Sequence, residues 1–215
     1  DTRAFPAEVA GITAVEANAL RAELGISRDS VIGLYCGSLY AHKHIDFLLG
    51  AAARIRAAIP QFVLVIVGAG PDAMNVERAA ASSAWLRYAG PHFGRRKATL
   101  FRMATVFLNP GLVGLAILDS FAAALPFITT DVPIHSPEVA YLESGVSGLM
   151  LPHHEQTYAN AVVSLLREPE RLQFMRQGAL AASQRYTVEN MVENVASGIV
   201  QCLDGGAPLC SSEVA

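Results

Sequence analysis

Apolar residues in this chain fall into short unbroken runs, separated by longer stretches in which they recur every three or four positions. The runs at 31–36 (VIGLYC), 62–67 (FVLVIV), 85–88, 106–108, 127–129 and 149–151 lack polar alternation, which marks strands buried on both faces. Between them the helical spacing predicts helices at 45–59, 71–82, 95–103 and 115–124. The first of these gathers Phe47, Leu48, Ala51, Ala52 and Ile55 on one side and is closed by Pro60, whereas Pro71 opens the second. Ahead of the first strand, Thr13 and Glu16 have capping-box spacing for a helix that runs through Leu20 and Leu24 to Gly25. Beyond the last strand the chain reads as helix at 157–166, 169–186 and 188–203.

Strands that alternate with helices imply a parallel sheet covered on both sides. Right-handed crossovers make this a doubly wound α/β domain of about six strands. Neither a repeat nor a linker interrupts it, so one domain is expected over 1–203, with 1–29 as a linker and first helix. The Gly-, Pro- and Ser-rich stretch 204–215 is expected to be a flexible tail. Ligands of such folds sit beyond the carboxyl ends of the strands, which directs attention to loops 37–44, 68–72, 90–95, 109–115 and 130–138.

Composition narrows the function classes. With 52% hydrophobic and 16% charged residues among 215, the chain has enough apolar surface for a large core and too much for disorder. A net charge of −3 gives no basic footprint for nucleic acid. Cys36, Cys202 and Cys210 form no CxxC pair, which fits a reducing cytosol better than a disulfide scaffold or zinc site. No apolar run reaches membrane-spanning length and no signal pattern is present. The chain starts at Asp1 without a methionine, so a fragment of a longer protein is expected.

Five loops are candidates for chemistry. In Gly37-Ser38-Leu39-Tyr40-Ala41-His42-Lys43-His44, a lysine stands at the mouth of a helix; it is either a phosphate ligand or a solvated charge. His42 and His44 have no acid or third ligand beside them to suggest a metal. Gly68-Ala69-Gly70-Pro71-Asp72-Ala73 has dinucleotide-fingerprint spacing, but the next strand ends without the required acid and Pro71 removes an amide donor. Asn109-Pro110-Gly111-Leu112-Val113-Gly114-Leu115 places two glycines between a strand and a helix, an anion cradle that lacks the Lys-Ser/Thr of a P-loop. Asp119 follows one turn later, where it either reaches a sugar hydroxyl or favours the helix dipole. In the fourth loop, Gly90-Pro91-His92-Phe93 offers an aromatic pair for a nucleobase, and Arg95, Arg96 and Lys97 after it read as a solvated basic face. The segment 131–138 reads evenly as structural or functional, with Ser136-Pro137-Glu138 as a helix entry.

Taken in order, these segments resemble the C-terminal, donor-binding domain of GT-B-fold glycosyltransferases, specifically the retaining family 4 (group 1). The resemblance rests on VIGLYCGSLYAHKHIDFLLGAAARI, FVLVIVGAGP, WLRYAGPHF, NPGLVGLAILDSFAAALPFITTD and HSPEVAYLESGVSGLML, with DTRAF similar to an interdomain linker. It implies a Rossmann-like sheet and transfer of a glycosyl unit from a nucleotide-diphosphate sugar to a polysaccharide, lipid or other glycoconjugate. By position, Lys43 pairs with the donor diphosphate and Gly37 and Ser38 line the same pocket, Ser38 standing where the family often has arginine. Amides around Gly111, Leu112, Val113, Gly114 and Leu115 hold the phosphates. Asp119, where most members have glutamate, binds the ribose hydroxyls, while His92 and Phe93 contact the base. The resemblance further implies no cofactor or metal, an N-terminal acceptor domain as partner, and a cytoplasmic protein that meets a membrane only through its parent. The domain alone is then expected to be inactive.

Two further residues depart from the family pattern. Gly111 stands where an acid usually contacts the donor sugar, and Ala124 stands where a glycine usually ends the helix. Two rival readings remain: half of a GT-B-fold sugar-nucleotide epimerase, or a degenerate, non-catalytic assembly domain.

Overall fold

The structure is a computed structural model that describes residues 4–203. The tail at 204–215, Cys210 within it, and the first three residues of the DTRAF segment lie outside the described residues. Six strands, β1 (Val31–Cys36), β2 (Phe62–Val67), β3 (Leu86–Gly90), β4 (Val106–Leu108), β5 (Phe127–Thr130) and β6 (Gly148–Leu151), form one sheet in the order β3-β2-β1-β4-β5-β6. All pairings are parallel, as the unbroken apolar runs imply. Strand order reverses between β1 and β4, so the loops that leave these two strands flank the switch point.

Nine helices are described: α1 (Ala4–Ala10), α2 (Ala14–Glu23), α3 (Ile45–Ala58), α4 (Ala73–Ser82), α5 (Gly94–Met103), α6 (Ala116–Ala122), α7 (Glu155–Arg167), α8 (Pro169–Arg185) and α9 (Val188–Leu203). Short 3-10 turns occur at Ala41–Lys43 and Pro137–Tyr141. The strands alternate between two apolar layers. Along β2, Val63, Val65 and Val67 join one, and Phe62, Leu64 and Ile66 the other. The first layer is centred on a stack of Phe101, Phe107 and Phe127 with ring centroids 5.5 and 5.2 Å apart. In the second layer α7 lies along α3. Gly148 is required where β6 meets β5, because a Cβ there would lie 2.0 Å from the Phe127 carbonyl oxygen.

Some boundaries differ from the sequence expectation, each for a local reason. Helix α1 falls in the segment expected as linker, because seven residues are too few to show a helical period; Phe5 anchors it edge-on against Phe101 at 5.2 Å. Helix α6 stops at Ala122 because Ala124 turns left-handed at φ 53°. Helix α7 begins two residues early because the His154 ring accepts a hydrogen bond from the Thr157 amide and caps it. No helix among the described residues is long and apolar enough to cross a membrane.

Candidate functional site

The backbone leaving β1 turns through the 3-10 turn at Ala41–Lys43, and His44 at φ 52° redirects it into α3. This turn brings Lys43 across the switch point. Its Nζ donates to the Leu112 carbonyl at 2.6 Å and lies 5.7 Å from the Tyr40 ring centre. The two loops touch through their backbones as well, since the Leu112 amide donates to the His42 carbonyl at 2.8 Å. Gly111 is what permits this contact: a Cβ there would lie 2.3 Å from the His42 oxygen and 2.6 Å from the Lys43 Cα. Burial pulls the Lys43 pKa below its ordinary value, and the Glu138 carboxylate opposes that shift.

Of the amides expected to form the cradle, two are already engaged. Besides Leu112, the Val113 amide donates to His135 Nδ1 at 3.1 Å, while His135 Nε2 donates to the Thr130 carbonyl at 2.7 Å. These bonds require the neutral ring with its proton on Nε2. The amides of Gly114 and Leu115 have no hydrogen-bond partner among the described residues. A half-buried ammonium beside free amides, at a strand switch point, makes a place for an anion.

Asp119 lies on α6, one turn beyond Leu115, and lines a cavity of about 650 Å³. The cavity is lined by Phe5, Leu115, Tyr141, Tyr186 and Met191 among others. There Lys97 Nζ sits 2.7 Å from Asp119 Oδ2 and 4.7 Å from the Phe5 ring centre. Lys97 is thus no solvated charge at a basic helix start but the counter-ion of Asp119. The thiol of Cys36, at the end of β1, is pushed up to about 12 by burial, as expected for an inert strand cysteine.

The other candidates are dispersed. Ser38 is exposed, with its carbonyl accepting from the Tyr35 hydroxyl at 2.8 Å, and a Cβ at Gly37 would meet only ordinary contacts. His92 is half-buried, accepts from Arg96 Nε at 3.2 Å, and does not line the cavity; Phe93 beside it is 83% exposed. The glycines of the false fingerprint have a packing reason. A Cβ at Gly68 would lie 1.8 Å from the Gly37 oxygen and one at Gly70 2.1 Å from the Leu39 oxygen, so both serve the approach of loop 68–72 to loop 37–39. His44 stacks edge-on with His153 at 4.6 Å, and its pKa is lowered by burial and by the neighbouring His153 and His42. Among the described residues no group of three His, Cys, Asp or Glu side chains is placed to hold a metal ion.

Sequence reasoning left segment 131–138 open between structural and functional readings without singling out His135 or Glu138, and it read Lys97 as part of a solvated basic face. His135 and Glu138 reach this region from one segment and Lys97 from α5, and only the scarcity of lysine, two in the whole chain, hinted at the last.

Comparisons with known proteins converge on one family. Residues 30–168 match the family described as glycosyl transferases group 1. The chain is 28% identical over 198 residues to D-inositol 3-phosphate glycosyltransferase of Stackebrandtia nassauensis, covering 82% of this chain and 43% of that protein. It is 31% identical over 191 residues to the enzyme of the same name from Acidothermus cellulolyticus, covering 81% and 42%. The chain therefore spans less than half the length of these relatives. The solved structure of Anabaena HepE in complex with UDP-glucose superposes with a TM-score of 0.73 at 17% identity, over 88% of this chain and 54% of that one. With the strand order and switch-point loops described above, these matches make the chain a GT-B-fold domain that belongs to the group 1 glycosyl transferases.

Proposed function

We propose that this domain binds the nucleotide-diphosphate sugar donor of a retaining, family 4 glycosyl transfer. The observation that carries this reading is the meeting of Lys43 with loop 109–115 across the β1–β4 switch point, next to the free amides of Gly114 and Leu115. Lys43 takes the diphosphate, those amides take its oxygens, and Gly37 and Ser38 line the approach. The Asp119 carboxylate, held by Lys97, accepts from the ribose hydroxyls, and the exposed Phe93 ring with His92 stacks against the base.

As the glycosidic bond breaks, negative charge grows on the departing diphosphate. A cation and amides already in place stabilise that charge without reorganising. On this reading the countercharge comes from Lys43 and the backbone rather than from a resident metal. The acceptor, a polysaccharide, lipid or other glycoconjugate, is held by a further domain of a longer cytoplasmic protein, so the domain alone binds donor without transferring sugar. That HepE was solved with UDP-glucose makes a uridine donor the first to try.

Calorimetric titration of the chain with UDP, GDP and ADP tests the reading. One diphosphate is expected to bind selectively. Lys43→Ala should weaken it by roughly ten- to a hundredfold, the worth of a charge-assisted hydrogen bond. Asp119→Asn should weaken it less, because the amide still accepts. Absence of binding by all three would favour the degenerate assembly reading.

A further inference from the structure

Three buried side-chain atoms among the described residues lack a hydrogen-bond partner: Asn109 Oδ1, Thr129 Oγ1 and Glu138 Oε2. All three belong to β5 or to the segments that leave β4 and β5. Glu138 is the only one that carries charge. It sits in the 3-10 turn Pro137–Tyr141, and this segment is tied to the cradle loop by two neighbouring bonds. The Ser136 amide donates to the Val113 carbonyl at 3.3 Å, and His135 accepts from the Val113 amide. The Glu138 carboxylate acts electrostatically on Lys43, yet forms no hydrogen bond or ion pair with it or with any other described residue.

A buried carboxylate oxygen without a donor is costly, so the arrangement calls for a ligand that brings one. A phosphate cannot, because it repels the carboxylate and has no proton to offer at neutral pH. A hydroxyl can donate to Glu138 while the anion it is attached to rests on Lys43. No side chain at position 111 can supply such an acceptor instead, since Gly111 has no room for a Cβ against the His42 and Lys43 backbone.

We infer that Glu138 is the acid that recognises the donor's sugar in this chain, its Oε2 accepting a hydrogen bond from a sugar hydroxyl beside the Lys43-bound diphosphate. This rests on the donor-site reading above and gives it a specificity-determining residue. The carboxylate thus favours the sugar and disfavours the phosphates. Its neutralisation should therefore weaken the sugar nucleotide without weakening the free diphosphate.

The test titrates the wild-type chain and Glu138→Gln with matched pairs: UDP and UDP-glucose, GDP and GDP-mannose, ADP and ADP-glucose. For the pair that binds, Glu138→Gln is expected to weaken the sugar nucleotide by about tenfold, the difference between a charged and a neutral acceptor. Affinity for the free diphosphate should stay the same or rise. Equal loss for both members would show a merely structural role and overturn the inference, as would no change in either. Failure of the wild type to bind any member overturns the donor-site reading itself, and this inference with it. Loss confined to the sugar nucleotide of Glu138→Asp, whose carboxylate is drawn back by one methylene, would add support.

Discussion

Ala124 holds φ 53°, a left-handed conformation that costs an L-residue about 1–2 kcal/mol and glycine almost nothing. Ala124→Gly relieves that strain at the expense of a more flexible unfolded chain, so a net gain of about 0.5–1 kcal/mol is expected. Thermal unfolding should show a midpoint raised by roughly 1–4 °C, and no rise would mean that the turn relaxes in solution. At Lys43 the consequence is one of pH. Burial lowers its pKa from 10.5, so the ammonium that a diphosphate needs is lost at a lower pH than for an exposed lysine. Diphosphate affinity measured from neutral to alkaline pH should fall before an ordinary lysine titrates, and Lys43→Arg should abolish that fall. The placement of Lys43 and Gly111 on loops that follow strands was legible because its signals are local: a scarce lysine after a strand, and a glycine between strand and helix. Lys97 was misread because its partner Asp119 is 22 positions away on another helix, a distance no local pattern spans.

Among the elements, α2 is the one whose start was written most clearly. The Thr13 side chain accepts from the Glu16 amide at 3.2 Å and the Glu16 carboxylate accepts from the Thr13 amide at 2.9 Å, completing the capping box. Thr13→Ala should cost about 1 kcal/mol in denaturant unfolding. The Thr13 bonds, with help from Arg95, pull the Glu16 pKa from 4.5 down to about 2. A carboxylate held low contributes stability above its unfolded value and loses it as the pH falls through its folded one. The wild type should therefore lose stability between about 4.5 and 2, and Glu16→Gln should flatten that part of the profile. The strands were equally plain in the sequence, whereas α1, with seven residues and two buried side chains, was not. Its helicity comes from Phe5 docking on Phe101 rather than from its own periodicity.

Across the whole molecule, a ligand that binds only the folded chain stabilises all of it. A selective diphosphate at a hundredfold over its Kd should add about 2.7 kcal/mol, visible as a raised unfolding midpoint that Lys43→Ala cuts by half or more at the same concentration. The doubly wound fold followed from the chain's own patterning, because unbroken apolar strands and intervening amphipathic helices have few other ways to bury their surfaces. Patterning also picked out the loops at the carboxyl ends of the strands, Lys43 and Gly111 within them, and Asp119 on the helix that follows one of them. It did not give the strand order, which depends on pairing between segments far apart in sequence. Nor did it say which cradle amides remain free: the Leu112 and Val113 amides are taken by His42 and His135, leaving those of Gly111, Gly114 and Leu115. Only folding sets Lys97 against Asp119 and leaves a buried oxygen of Glu138 without a donor in the segment tied to the cradle loop. Hydrogen bonds and charges act over a few ångströms, so these relations exist only once the sheet has brought distant loops to one edge.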